Sequence, residues 1–473
     1  MSTVLQVLTA AECEQVHEKT LDILNTTGMR VDSQRGRKLL QEAGAISTGS
    51  NDILRLPPEF VETALELAQR NFTLSGRRPG WSLPMNTNQC SLVADGGAIY
   101  ALNIEDSKRR LATIDDWYLA TRLTDALDEF GCYWGVVDGV FGTRPVDVVT
   151  HWVEIFRNFS KHVQESTSTI QETYWLKEIL QIIFGTQEEI RSIHPLSFLI
   201  CPSSPLVIEA DYTDAYLETI GLNIPVAIMP MPLLGTTGPG TLISNLVLAN
   251  CEVLAVVCLI QAAQPETPII YAPTPAISNP YSGRYGGGEV EHALLGAAVT
   301  EMARCYNLPV EASAGGSDHY IPGIQVGYER ALNFILPVIS QPDLLVAPGL
   351  LGGAMIFSPE QFIIDLDIVR RCRRLARGIN TAPERWLEEA ISHVGPGGHF
   401  LTQPSTRTAL RTGEVYISNL GCHEPYERWV AQAKPDILEE ARDQYHRIIE
   451  TYQPLPFDNE VEKELRQLQK SAS

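Results

Sequence analysis

Hydrophobic positions along the chain change rhythm once, near residue 90. Before that point they recur at helical spacing. Val16, Leu21 and Leu24 follow a T-x-x-E start formed by Thr9 and Glu12, and Gly28 supplies a helix stop. Two shorter helical stretches come next, "SQRGRKLLQEAGA" ending at Gly44 and "PPEFVETALELAQR" opening on prolines. Residues 1–85 are therefore predicted to form an N-terminal helical segment.

Beyond it, short apolar runs alternate with longer amphipathic stretches. The runs are "SLVADGG" (91–97), "CYWGVVDG" (132–139), "HVQEST" (162–167), "LSFLICPSS" (196–204), "PVAIMPMP" (225–232), "PIIYAPTP" (268–275), "PVEASAGG" (309–316) and "LLVAPGLLGG" (344–353). Helical patterns such as "IDDWYLATRLTDALDEF" and "EVEHALLGAAVTEMARCYN" lie between and after them. Eight strands alternating with eight helices is the count of a (β/α)8 TIM barrel. Apolar runs without strict alternation are what parallel strands covered by helices look like. An open doubly wound sheet shares this local pattern, which does not by itself fix closure. The barrel is assigned to residues 86–378, and residues 379–473 to a C-terminal helical extension packed on it. The most apolar stretch, "LISNLVLANCEVLAVVCLI" (242–260), is interrupted by Asn245, Asn250 and Glu252 and reads as a buried core helix rather than a membrane span.

Charge narrows the partners. With 36 Lys+Arg against 57 Asp+Glu the formal charge is −21, a field that repels nucleic acid and anionic membranes and favours cationic ligands or basic surfaces. Nine cysteines with no C-x-x-C pair and no zinc-type spacing read as reduced thiols of a cytoplasmic protein. The N-terminus lacks a basic region followed by a long apolar run, so neither a signal peptide nor an anchor is expected.

In a barrel of this kind chemistry gathers where the strands end. The ends offer Asp95, Asp138, Glu165 with Ser166, Ser203 with Ser204, "PLLGTTGPG", "APTPAISNPYSGRYGGGE", the Ser317-Asp318-His319 stretch and "APGLLGGAMIF". None carries a lysine, so Schiff-base chemistry has no obvious nucleophile. H-x-H, H-E-x-x-H and D-x-D pairs are also absent, which weakens a metal-hydrolase reading. "GTTGPGT" lacks the Gly-Lys-Ser/Thr of a phosphate loop. What remains is acidic and edged with aromatics, among them Tyr133, Trp134, Tyr271, Tyr320 and Phe357. Aromatic faces and carboxylates together suit a cation, quaternary ammonium above all, although each aromatic taken singly is ordinary loop packing.

Several longer stretches then carry a resemblance. "LTAAECEQVHEKTLDILNTTGMRVDSQRGRKLLQEAGA", "GGSDHYIPGIQVGYERALNFI", "SPEQFIIDLDIVRRCRRLARGI" and "VGPGGHFLTQPSTRTALR", in that order, resemble the trimethylamine methyltransferase family over nearly the whole chain. The resemblance implies a (β/α)8 barrel that moves a methyl group from a methylated amine to Co(I) of a corrinoid held by a separate small protein, with none bound tightly by this chain, and a homo-oligomer. Archaeal members carry pyrrolysine, whereas every position here is a standard residue. The chain is therefore similar to the non-pyrrolysine branch, whose substrates are quaternary amines such as glycine betaine, proline betaine or carnitine. The Gly315–Asp318 stretch is taken as the region corresponding to pyrrolysine.

On this reading Glu165, Asp318 and His319 act at the reacting centre. Asp95, Asp138, Tyr133, Trp134, Tyr271, Tyr320 and Phe357 bind the amine, and Gly315, Gly316, Ser317 and Gly352 let the corrinoid approach the backbone. Gly-Gly-Ser-Asp is equally a turn and cap sequence, with Ser317 or Asp318 capping a helix near Ile324. Two alternatives stand beside the methyltransferase: a lyase or isomerase holding a divalent metal through Asp95, Asp138, Glu165 and Asp318, and a betaine-binding protein without turnover.

Overall fold

All eight apolar runs become parallel strands: β1 (Ser91–Val93), β2 (Phe130–Tyr133), β3 (His162–Gln164), β4 (Leu196–Ile200), β5 (Val226–Ile228), β6 (Ile269–Tyr271), β7 (Glu311–Ser313) and β8 (Leu344–Val346). The computed structural model describes residues 6–49, 52–94, 96–346, 348–432 and 435–472. Neighbours pair from β1 through β6 and from β7 to β8, and β8 returns to β1 with Leu345 opposite Leu92. β6 meets β7 at one parallel bridge, Tyr271 to Val310, where the Tyr271 amide donates to the Pro309 carbonyl at 2.8 Å. The ring is thus closed, and the open-sheet alternative falls.

The lumen is filled rather than hollow. Val93, Cys132, Leu199, Met229, Ile270 and Leu344 form one buried cluster with Phe72, Leu74 and Met85. Those last three flank or belong to a hairpin, Thr73–Ser75 with Ser82–Pro84, that stops the N-terminal end of the barrel. His162 ties the hairpin in: its Nδ1 lies 3.2 Å from the Ser75 carbonyl and its Nε2 2.9 Å from Ser197 Oγ. Across the lumen Gln164 Nε2 on β3 donates to Glu311 Oε2 on β7 at 2.8 Å.

The N-terminal helices form where the sequence places them. Ala10–Thr26 starts in a complete Thr9/Glu12 capping box and ends at Gly28, whose φ of +80° suits a residue without Cβ. A side chain there would lie 2.3 Å from the Leu54 carbonyl. Between the helices, however, Met29–Val31, Ile46–Ser47 and Ile53–Arg55 make a small sheet that also recruits Val207–Ile208 from the loop after β4. These strands are two or three residues long, too short to leave a periodic signal.

The helix Leu242–Ala263 is the one described helix long and apolar enough to span a membrane, and it is buried. The barrel lies on one side and the helices Ala10–Thr26, Gln34–Ala43 and Pro58–Leu67 on the other, which is why its apolar character runs all the way round. Its polar interruptions are paired except at Asn245 Oδ1, which is buried with no hydrogen-bond partner. Asn245 Nδ2 donates to the Pro232 carbonyl, Glu252 accepts from Ser204 Oγ and the Leu206 amide, and Asn250 Nδ2 donates to Thr20 Oγ1 and the Tyr306 hydroxyl. Asn250 Oδ1 accepts from the Tyr271 hydroxyl at 2.8 Å. One amide therefore joins the N-terminal segment to a barrel strand.

In the C-terminal extension, Ile437–Thr451 packs on Pro359–Ala376 and Asn459–Ser471 on Pro145–Asn158.

Substituting Asn250→Leu strands the buried Tyr271 hydroxyl, while the Tyr306 hydroxyl keeps His17 Nδ1 at 3.0 Å. A loss of about 1–3 kcal/mol in denaturant unfolding is expected, with faster amide exchange in Ala10–Thr26. An unchanged midpoint would mean the Tyr271 hydroxyl needs no partner there.

Candidate active site

The C-terminal strand ends open into two cavities. The first, of about 430 Å³, sits over β1 to β4 and is lined by Trp134, Asp138, His151, Trp152, Glu165, Glu172, Cys201 and Tyr212 among others. The second, of about 680 Å³, lies over β6 to β8 and is lined by Tyr100, Arg109, Asn279, Arg284, Tyr285, Asp318, Tyr320 and Gly352 among others.

Local structure holds the first cavity in shape. Glu165 directly follows β3, its amide donating to the Ser197 carbonyl at 3.1 Å while its own Oε1 accepts from the Ser166 amide at 2.9 Å. Ser166 Oγ in turn accepts from the Leu199 amide, which locks β3 to β4 at the rim. Glu172 arrives in the first turn of helix Ile170–Phe184, capped by Thr169. It accepts from Trp152 Nε1 at 2.8 Å and from the Ser168 amide at 3.0 Å. Trp134 crosses the backbone of Gly96, where a Cβ would stand 2.9 Å from the indole ring.

Burial sets the charge states. Desolvation pushes the half-buried Glu165 up to about 7, helped by the charges of Asp138 and Glu172 against the hydrogen bond from the Ser166 amide. His151 is lowered to about 4 by desolvation, with Asp138 opposing; it is a neutral ring at pH 7, stacked on Phe141 at 4.4 Å between centroids. Desolvation, with Glu165 and Glu311 adding to it, pushes the Cys201 thiol to about 12, so this thiol stays protonated. Deeper in the lumen Glu311 is raised to about 7 by desolvation; its Oε1 has no hydrogen-bond partner.

The structure unites some of the expected site residues and separates others. Glu165, Asp138 and Trp134 meet in the first cavity. Asp318, Tyr320 and Gly352 meet in the second. Asp95 lies outside the described residues. Tyr133 stands behind the wall, its hydroxyl 3.4 Å and Glu165 Oε2 3.8 Å from where a Gly135 side chain would be. Tyr271 faces outward to Asn250, and Phe357 is fully buried in the main core, so neither ring lines a mouth cavity.

The small residues after β7 do not leave a gap for a flat ligand. Gly315, at φ +68°, is pressed on Phe334, and a Cβ at Gly316 would stand 2.2 Å from the Gly287 carbonyl. Ser317 is buried and donates to Glu329 Oε2 at 2.6 Å, while His319 Nδ1 turns back to the Ile321 carbonyl at 2.7 Å. The helix Ile324–Ser340 starts from Gly323 without a side-chain cap, so neither Ser317 nor Asp318 caps it. Asp318 Oδ1 instead accepts from the Gly288 amide at 3.2 Å, and desolvation raises its pKa. Because Asp318 and Glu165 line different cavities, they do not join in the four-carboxylate metal site of the alternative reading. Among the described residues no group of three or more His, Cys, Asp and Glu side chains stands as metal ligands would.

Sequence reading missed His151, Trp152, Glu172, Arg109, Arg284 and Glu311. The first three come from helices, and the T-x-x-E pattern of Thr169 and Glu172 already marked one helix start at the mouth. Glu311 was visible as a lone carboxylate within an apolar strand.

Comparison with known proteins agrees with this architecture. The family described as trimethylamine methyltransferase (MTTB) matches residues 2–472. Trimethylamine methyltransferase MttB of Desulfitobacterium hafniense (strain DSM 10664 / DCB-2) is 27% identical over 458 residues, 97% of this chain and 92% of that protein. Glycine betaine methyltransferase of Desulfitobacterium hafniense (strain Y51) is 27% identical over 467 residues, 97% of this chain and 95% of that protein. The crystal structure of the Methanosarcina barkeri monomethylamine methyltransferase (MtmB) is similar in fold, with a TM-score of 0.50 at 12% identity over 97% of this chain and 92% of that one. Relatives named for a tertiary and for a quaternary amine are equally similar, so the substrate has to be read from the site. With a family match that runs nearly end to end on a closed barrel, the chain belongs to the trimethylamine methyltransferase (MTTB) family and is a methyltransferase.

Proposed function

We propose that this enzyme takes a methyl group from a small quaternary amine of the glycine betaine, proline betaine or carnitine type and delivers it to a corrinoid presented by a separate small protein. The observation that carries this reading is the first cavity: Trp134, Trp152 and Tyr212 surround the carboxylates of Asp138, Glu165 and Glu172. Aromatic faces attract a quaternary ammonium through the ring quadrupole, and a desolvated carboxylate nearby adds attraction. A quaternary nitrogen is already cationic, which makes the amine a leaving group that needs no proton and no electrophilic residue.

The chain's own residues then have positioning to do. Trp134 and Trp152 flank the ammonium, Glu165 and Asp138 fix its place by charge, and the desolvated wall keeps water from the methyl group. When presented at the mouth, the corrinoid supplies the cobalt(I) nucleophile. Gly315 and Gly316, packed against Phe334 and Gly287, leave no slot for it after β7, so it would face the rim of the mouth. The neutral tertiary amine departs with the electron pair of the broken C–N bond. Neither His151 nor Glu165 has to transfer a proton.

Three outcomes test this. A charge pair near 4 Å in a site of intermediate dielectric is worth up to ~4 kcal/mol before desolvation. Glu165→Gln is therefore expected to weaken a betaine by roughly 10- to 100-fold in isothermal titration, about 1.4 kcal/mol per tenfold. Asp318→Asn, in the other cavity, keeps an acceptor for the Gly288 amide and should leave affinity within about twofold. Equal affinity in wild type and Glu165→Gln would remove the cation from this cavity.

The second outcome is pH dependence. Because Glu165 is raised to about 7, its carboxyl is protonated below that value and charged above it. Affinity for a permanently cationic amine should rise as pH goes from 6 to 8, and Glu165→Gln should flatten the profile. A profile of the same slope in both proteins would assign the titration elsewhere.

Third, with free cob(I)alamin as acceptor, absorbance should report demethylation of a quaternary amine and none of trimethylamine. Robust trimethylamine turnover would overturn the substrate class.

A further inference from the structure

A buried cysteine is ordinary apolar filling. A second thiol set against it and open to solvent is not. Of the nine cysteines, only Cys305 and Cys422 are exposed. Cys422 Sγ has the Glu424 carbonyl for a neighbour, at 3.8 Å. Cys305 has a thiol: its side chain is in hydrogen-bond contact with that of Cys13. Both line a cavity of about 330 Å³ between the N-terminal helices and the helix Val290–Cys305. The scaffold fixes this meeting from both sides. Glu301, one turn before Cys305, accepts from the Val7 and Leu8 amides at 2.9 and 2.5 Å, just ahead of the helix Ala10–Thr26. Tyr306, directly after Cys305, meets His17 Nδ1 through its hydroxyl at 3.0 Å. Cys13 lies between these two ties on one side and Cys305 between them on the other.

We propose that Cys13 and Cys305 are a reactive dithiol, which a small organic disulfide converts to an internal Cys13–Cys305 bond. Accessibility assigns the roles. The exposed Cys305, as its thiolate, attacks one sulfur of the reagent and forms a mixed disulfide, while the other half of the reagent leaves. Cys13 then attacks the Cys305 sulfur, closing the internal bond and expelling the second half. Each leaving half takes up the proton that a protein thiol gives up. The two cysteines are thereby oxidised, and the reagent is reduced to two thiols. Burial pushes the Cys13 thiol up to about 12, with Cys305 adding to it, so Cys13 does not react first and acts on a sulfur already held beside it.

The cavity also selects the reagent. Its wall sets Glu14, Glu62 and Glu66 against Arg70 and His17, on a chain whose formal charge is −21. An anionic disulfide is repelled there and a cationic one attracted. Once formed, the bond closes a loop from residue 13 to residue 305 that contains β1 to β6. It straps the helix Ala10–Thr26 to the barrel beside the polar tie that runs from His17 through Tyr306 and Asn250 to Tyr271. The inference is independent of which amine the enzyme demethylates.

Treating the full chain with cystamine, a cationic disulfide, followed by alkylation and peptide mapping, tests the pair. Wild type should yield a linked Cys13–Cys305 peptide, with cysteamine retained on the other exposed thiol, Cys422, and a reductant should reverse both. Cys13→Ala removes the second thiol, so cysteamine should then stay on Cys305. Should that variant not fold, Cys305→Ser, at an exposed position, serves in its place: no linked peptide should form, and Cys13 should stay unmodified. Amide exchange in Ala10–Thr26 should slow by at least about threefold when wild type is oxidised, and cystamine should leave it unchanged in Cys305→Ser. Cysteamine retained on wild-type Cys305, a Cys305 that neither links nor reacts, or a linked protein with unaltered exchange would each overturn the proposal.

Discussion

Strands of three to five residues have few ladder hydrogen bonds to offer, so the closure of this barrel depends on what fills it. Each strand buries both faces, one against the helices and one in the lumen. The lumen must therefore be occupied without voids. Six of its strands contribute aliphatic or thiol side chains to one cluster, and a hairpin that precedes the first strand supplies the stopper from below. The N-terminal segment is thus part of the barrel's own packing and not an ornament on it. The same demand explains the helix Leu242–Ala263, apolar all round because it is covered on both sides.

Filling the lower lumen leaves the upper end as the place where space remains. Polar groups facing that space lose water without gaining a full set of partners, and their chemistry follows. The Glu165 carboxyl there, like the Glu311 carboxyl deeper in the lumen, is pushed toward neutrality, His151 is held neutral, and Cys201 is kept a thiol, all with burial as the leading cause. Under the proposed function, a cation entering the first cavity would offset the cost of ionising Glu165, so ligand and charge would arrive together. Any selectivity of that cavity for a cation would then follow from the desolvation that closure imposes.

The balance between what was legible and what was not follows from strand periodicity. Because barrel strands are buried on both faces, an apolar run announces a strand without saying which of its residues face the lumen. All eight strands and the barrel count could be read, while closure and the inside and outside of each strand could not. Tyr133 and Tyr271 were placed at the mouth on position alone, and their rings went to the helix side. On β2 a register shift between Leu92 and Val93 against Phe130 and Cys132 sets the parity, and no composition rule foretells it. Residues just past a strand, where the chain leaves the sheet, are freer of parity. Glu165, Asp138 and Trp134 accordingly line one cavity at the strand ends.

The glycines after β7 show the same limit from another side. A run of small residues at a strand end signals a close approach, but the approaching body can be protein as easily as ligand. Here it is Phe334 and the Gly287 backbone, and Ser317 and Glu329 finish the loop by pairing with each other. The consequence is a rigid partition: the β6–β7 loops are welded together, and Asp318 stands with Arg109, Arg284 and Tyr320 in a cavity of its own. The mouth is thereby divided into an acidic, aromatic half over β1 to β4 and a half over β6 to β8 where two arginines balance the acid. On the proposed function a cationic nitrogen would be drawn to the first half, and the wall between the halves would keep the arginines from neutralising the carboxylates there.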